Sequence, residues 1–219
     1  MLVKDFMTRH PIMITATTPA PEAQKIMAEN GIRHLPVAGS GKRLEGLITG
    51  HSLKLDAELI GSLNVWDITR YLSNLPVKDL MIKAQNVHTI DADKTAERAA
   101  RLMIDYKIGC LPVVEDGNVI VGILTEVDLL HVFQEMLALP ANGVRVTLRM
   151  PDKKGEFAKL ASILSNHDIG VLGIGTYPSP RREGYYDTVL KIGHVTIEQA
   201  KIAFGQIEGY EIIDIRDVV

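Results

Sequence analysis

The chain has 219 residues, of which 46% are apolar and 23% charged, with a formal net charge of −3. That balance supplies apolar surface for real cores and excludes a disordered chain. The slight acidity argues against general nucleic-acid binding, which needs excess basic charge to displace counterions.

Cys110 is the only cysteine, which excludes an intrachain disulfide and an all-cysteine metal cage. Seven histidines show no H-x-x-x-H or H-E-x-x-H spacing, so no metal site is expected. Lys4, Asp5, Arg9 and His10 interrupt the first residues, and no run of about 18 uncharged apolar residues follows. A soluble, cytoplasmic protein without a membrane span is the expectation.

In chain order, Val3-Lys4-Asp5-Phe6-Met7 precedes a short strand over 12–15. A helix opened by Thr17 or Thr18, with Pro19 at its start, comes next. Strands over 35–38 and 44–49 flank a Gly-Ser-Gly turn. An extra stretch over 53–73 includes an amphipathic segment, 65–72, with Trp66 as packing. A second strand follows at 87–90, then a helix over 95–106 capped by Asp93 or Thr95, with Ala96, Ala99, Met103 and Tyr106 on one face. Strands over 108–114 and 119–124 join through an Asp-Gly turn, and a helix over 125–137 closes the unit.

The second unit repeats the first. Ile32-Arg33-His34-Leu35-Pro36-Val37 recurs 76 residues later as Ile108-Gly109-Cys110-Leu111-Pro112-Val113, and Gly46 to Ser52 recurs as Gly122 to Asp128 at the same offset. Val3 to Met7 recurs as Val77 to Met81, 74 residues on. This is an internal duplication. Its domains are read as 1–73 and 74–139, the first carrying the extra segment.

After a linker around Pro140 the pattern changes. Strand 144–150, helix 155–166, strands 169–177 and 185–192, helix 196–207 and strand 210–218 give the order βαββαβ, a ferredoxin-like arrangement over 143–219. The fold class is α/β (α+β).

The paired V-K-D-x-M, I-x-x-L-P-V and G-x-x-T-x-x-[DS] motifs resemble a tandem pair of CBS domains, a Bateman module. The third part, with "PDKKGEFAKL" at its first strand-to-helix junction, resembles an ACT domain. Together they are similar to the acetoin utilization protein AcuB group. The resemblance implies a non-catalytic regulatory homodimer that controls some other enzyme. Its implied ligand is an adenine nucleotide (AMP, ADP or ATP) or S-adenosylmethionine, with no catalytic cofactor, no nucleic acid and no membrane partner.

The residues carry part of this themselves. Gly122 allows close backbone approach, and free N–H groups at the following helix start favour phosphate. Thr125 offers a hydroxyl donor. Asp128 offers two acceptor oxygens to a ribose diol, and a purine is expected against Ile108, Gly109, Cys110, Leu111 and Pro112, with apolar contact from Leu111 and with Thr89 and Ile90 among the site residues. Yet T-x-x-D is also a capping box, and both roles stay open.

The first copy offers Thr15, Arg33, His34, Leu35, Pro36, Thr49 and Ser52, where Ser52 cannot act as a charged two-pronged acceptor. In the third part Asp152, Lys154 and Gly155 form a candidate loop for a small ligand such as an amino acid, or a turn that uses glycine for backbone freedom. "YPSPRREGYY" reads as a solvated hairpin tip. A nucleophilic Cys110 lacks any activating base in the sequence, and packing is its expected role.

Overall fold

A computed structural model describes residues 1–52, 75–139 and 141–218. The expected helix at 65–72, Trp66 and Pro140 lie outside them. The chain forms two compact units, residues 1–129 and 130–219.

In the first unit the elements are α1 (Val3–Phe6), β1 (Thr8–Arg9), α2 (Ala20–Asn30), β2 (His34–Ala38), β3 (Leu44–Thr49) and β4 (Ile82–Lys83). They continue as α3 (Ala96–Tyr106), β5 (Cys110–Glu115), β6 (Val119–Thr125) and the start of α4 (Glu126–Met136). Thr95 caps α3, its hydroxyl accepting from the Arg98 N–H at 3.2 Å. Neither threonine caps α2. Pro19 occupies that position, and the Thr18 hydroxyl accepts from the Thr15 N–H instead.

The strands expected at 12–15 and 87–90 shrink to single parallel bridges, Ile14 to Val37 and Ile90 to Val113. Proline explains the shortening. Ile14 donates to the Pro36 carbonyl and Ile90 to the Pro112 carbonyl, 3.1 Å in each case. The N–H that would extend each ladder backwards is the one proline lacks.

The two copies exchange their leading segments. β1 pairs with β6, Thr8 opposite Ile123, whereas β4 pairs with β3, Leu47 opposite Ile82. Val3 is fully buried in the core of the second copy with Ile90, Met103, Leu111 and Val113, and Val77 is buried in that of the first with Ile14, Leu35, Val37 and Ile48. Each V-K-D-x-M motif therefore plugs its sister's core, burying a valine worth about 1.5–3 kcal/mol.

The second unit contains β7 (Gly143–Pro151), α5 (Glu156–Asn166), β8 (Gly170–Pro178), β9 (Tyr185–Gly193), α6 (Ile197–Gly205) and β10 (Glu211–Val218). Its antiparallel sheet has the order β10-β7-β9-β8, which is ferredoxin-like. Alternation makes the core: Val144, Val146 and Leu148 on β7 turn with Leu190 and Ile192 on β9 towards Leu160, Ala203 and Phe204 of the helices. The opposite face carries the Arg149–Asp187 pair, bidentate at 2.8 and 3.0 Å.

Candidate functional site

In both copies a hairpin delivers the chain to the T-x-x-[DS] corner with the same register. His34 stands opposite Thr49, and Cys110 opposite Thr125. At the second corner Asp128 Oδ2 accepts from the Thr125 backbone N–H at 2.7 Å and from its hydroxyl at 2.8 Å, while the Asp128 N–H reaches Thr125 Oγ1 at 3.4 Å. This is a formed capping box. Asp128 Oδ1 has no hydrogen-bond partner among the described residues, so half of the carboxylate is left to accept. At the first corner Ser52 donates its N–H to Thr49 Oγ1 at 3.2 Å, with the two hydroxyls 3.0 Å apart. The local geometry is kept and the carboxylate is absent.

A cavity of about 480 Å³ opens between the copies, within the size range of small-ligand sites. Matched positions line it: Arg33, His34 and Gly50 from the first copy, and Gly109, Cys110 and Glu126 from the second. Thr49, His51, His88 and Lys107 add polar groups, and Leu47, Ile82, Val87 and Ile108 add apolar wall. His88 is stacked on Tyr106, ring centroids 3.6 Å apart. Burial first, then the Arg33 charge, lowers the His34 pKa against the opposing pull of Glu126. Burial and Glu126 push the Cys110 thiol up to about 12, so it remains protonated, a poor nucleophile.

The structure sorts the residues expected at the second site. Gly109 and Cys110 line the cavity. Thr125 and Asp128 do not, although Thr125 pairs with Cys110 and the next residue, Glu126, donates its N–H to the Gly109 carbonyl at 3.1 Å. The apolar contact expected of Leu111 is corrected: its side chain is fully buried in the core with Ile90. Pro112 is likewise buried, and its carbonyl receives the Ile90 N–H. Thr89 is half-buried outside the cavity lining.

Gly122 also has a different cause. A Cβ there would lie 2.6 Å from Met7 Sδ and 3.1 Å from the Thr8 carbonyl, so the close backbone approach is by the exchanged β1 segment. In the first copy Arg33, His34 and Thr49 face the cavity, whereas Leu35 is core, Pro36 is buried and Thr15 is exposed elsewhere. Sequence reasoning missed His51, His88, Lys107 and Glu126. His51 and Glu126 sit inside or beside the duplicated motif, and Lys107 differs in type from its counterpart Gly31, which was the available signal.

In the second unit Asp152 and Gly155 border a cavity of about 290 Å³ with Met150, Phe157, Tyr186 and Thr188. Lys154 is exposed and outside that lining. Gly155 precedes α5 at φ 90°, the left-handed region that glycine adopts most readily. The arginines of the 177–186 hairpin are exposed, with Arg182 lying 3.9 Å over the Tyr185 ring. Among the described residues no group of three or more histidine, cysteine or acidic side chains is placed to hold a metal, and no helix is long and apolar enough to cross a membrane.

A family model of the CBS domain matches residues 3–54 and 77–135, just over half of the chain. The L-aspartate semialdehyde sulfurtransferase of Methanocaldococcus jannaschii is 31% identical over 132 residues, covering 60% of this chain and 23% of that protein. The homoserine O-acetyltransferase of Methanocorpusculum labreanum is 33% identical over 126 residues, covering 57% and 23%. The chain thus spans under a quarter of the length of either enzyme. Among solved structures, the CBS-domain pair of protein MJ0100, in complex with 5′-methylthioadenosine and S-adenosyl-L-methionine, is similar with a TM-score of 0.50 and 28% identity. That match covers 61% of this chain and 95% of that one. The Vibrio cholerae protein named AcuB for acetoin utilization matches with a TM-score of 0.52 and 28% identity, covering 64% and 95%.

Proposed function

The chain belongs to the CBS-domain family, and from that premise we propose that it is a non-catalytic regulatory sensor that binds an adenosine-containing ligand between its two copies. The observation that carries this reading is the cavity lined by matched positions of both copies, whose wall residue Cys110 stands opposite Thr125 in the strand register. Oδ2 of Asp128 is fixed by Thr125, and Oδ1 accepts from a ribose hydroxyl. The cap and the ribose site are one device, because the cap holds the carboxylate in place. The similarity to a CBS pair solved with two adenosine compounds supports the ligand class.

The second unit acts as an ACT-like module taking a small ligand, such as an amino acid, in the cavity bordered by Asp152 and Gly155. The molecule works as a homodimer that reports ligand state to a metabolic enzyme, by analogy with the acetoin utilization group. The enzymes matched above share only a minor part of their length with this chain, so their reactions are not carried over.

A second reading, an interaction scaffold with disused clefts, draws on Ser52 and on the closed cap at Thr125. Titration calorimetry separates the two. Asp128→Asn keeps one acceptor for the cap and loses the charge. It is expected to lower affinity for AMP about tenfold or more while changing the stability of the free protein by about 1 kcal/mol or less. Ser52→Asp is expected to strengthen or add a binding event. Unchanged affinity in Asp128→Asn returns the corner to a helix cap and favours the scaffold.

A further inference from the structure

We infer that Arg43 and Asn118 form a staple that pins the two hairpins of the first unit together at their tips and so holds the cavity at their other ends in shape. The cavity residues His34, Thr49 and Cys110 lie at the ends of β2–β3 and β5–β6 away from those tips. At the tips Arg43 Nη1 donates to the Gly117 carbonyl at 2.9 Å, the Leu44 N–H to the Asn118 carbonyl at 3.0 Å, and the Asn118 carboxamide to the Leu44 carbonyl at 3.3 Å. Among the described residues these are the hydrogen bonds that join one hairpin to the other. Arg43 also forms a bridge with Val119, its own counterpart one repeat later, and Leu47 and its counterpart Ile123 share one buried cluster with Cys110. Equivalent positions meet in this way only about a local two-fold axis.

The apolar contact of Leu47 with Ile123 resists separation but not sliding, because it has no direction, whereas the hydrogen bonds at the tips have one. Over β2 and β3, five and six residues long, at about 3.3 Å each, a pivot of about 10° at the tip moves the cavity wall by roughly 3 Å. The staple is also one-sided. The counterpart of Arg43 is Val119 and that of Asn118 is Lys42, so neither side-chain bond has a twin in the repeat. Gly41 and Gly117 share the left-handed conformation, and so do Lys42 at φ 60° and Asn118 at φ 89°. Asn118 stands further from the ordinary left-handed basin, and its carboxamide crosses to the facing hairpin, while the Lys42 side chain makes no hydrogen bond among the described residues. Strain kept where a side chain crosses between the copies points to a use for that bond.

Cys110 reports on the cavity directly, because it is the only cysteine, is buried and stands in the cavity wall. Labelling of the full chain with a maleimide, with no ligand added, reads how often that wall opens. It is expected to run about threefold faster in Arg43→Ala, whose side chain is exposed, and about three- to tenfold faster in Asn118→Gly, with Arg43→Lys close to the wild type. Glycine accepts φ 89° without strain, so Asn118→Gly is expected to keep the chemical denaturation midpoint, which separates a looser cavity from a chain that unfolds more readily. Lys42→Gly relieves the equivalent strain with no bond to lose, and is expected to label at the wild-type rate. An unchanged rate in Asn118→Gly, an acceleration matched by a fall in the midpoint, or an equal acceleration in Lys42→Gly overturns the staple. Each of these leaves the sensor reading standing, because no arm of the test depends on which ligand the cavity takes.

Discussion

At residue scale, His34 shows how the cavity stores a response to pH. Its ring is partly buried beside Arg33 and in reach of Glu126, with Lys107, His51 and His88 on the surrounding wall. Burial and then Arg33 disfavour the imidazolium, so the folded pKa lies below the unfolded value of 6.5. Between those two values the unfolded chain binds a proton that the folded chain does not. The contribution of His34 to stability is therefore present above pH 6.5 and is lost as pH falls through the folded pKa. Between pH 7 and 5 the denaturation midpoint of the wild type is expected to fall more steeply than that of His34→Gln, and parallel slopes would refute this. A bound phosphate acts in the opposite sense, stabilising the protonated ring, so saturating AMP is expected to make the wild-type slope shallower.

At the scale of elements, the exchanged segments explain the paired glycines. A Cβ at Gly46 would stand 2.7 Å from the Ile82 carbonyl, which is backbone, and 2.6 Å from Met81 Sδ. At Gly122 the nearest atom is Met7 Sδ, the far part of a flexible side chain, with the Thr8 carbonyl at 3.1 Å. Gly46→Ala is therefore expected to destabilise by about 1–3 kcal/mol and Gly122→Ala by less, measured by chemical denaturation. The opposite order would show that β1 is held more rigidly than β4. The duplication, the hairpins and the βαββαβ order were legible because periodicity and turn residues are local signals. The exchange was not, because Val3 and Val77 would suit either core: both cores offer the same apolar chemistry, and nothing in V-K-D-x-M says which copy it enters. The cavity was half legible. Arg33, His34 and Cys110 belong to a repeated motif, whereas Lys107 and His88 reach the wall only through the way the two copies face each other. Leu111 misled because a buried strand residue and a ligand contact share one apolar signature.

At the scale of the whole molecule, the proposed two-fold assembly needs a surface, and α4 offers one. Val127, Leu130, Phe133 and Met136 recur every three residues along it and are 47%, 62%, 57% and 50% exposed. A row of large apolar side chains left in water on one helix is a liability unless a partner covers it. A second copy is the economical partner, because closed two-fold symmetry lets one patch serve both sides of the interface. Leu130 and Phe133 are the most exposed of the four, so a charge there should weigh most against association and least against folding. Sedimentation equilibrium at micromolar concentration is expected to return twice the 24.1 kDa of the chain. Leu130→Asp and Phe133→Asp are each expected to shift the mass towards one chain without loss of helical content. A wild-type mass of one chain would remove the assembly from the proposed mechanism, and dimeric variants would move the interface away from α4. If the assembly also carries the signal, ligand affinity and dimer affinity must change together, by the same factor in each direction. AMP at saturation would then alter the dimer dissociation constant in the wild type, and the Asp128→Asn variant would lose that shift in step with its loss of binding.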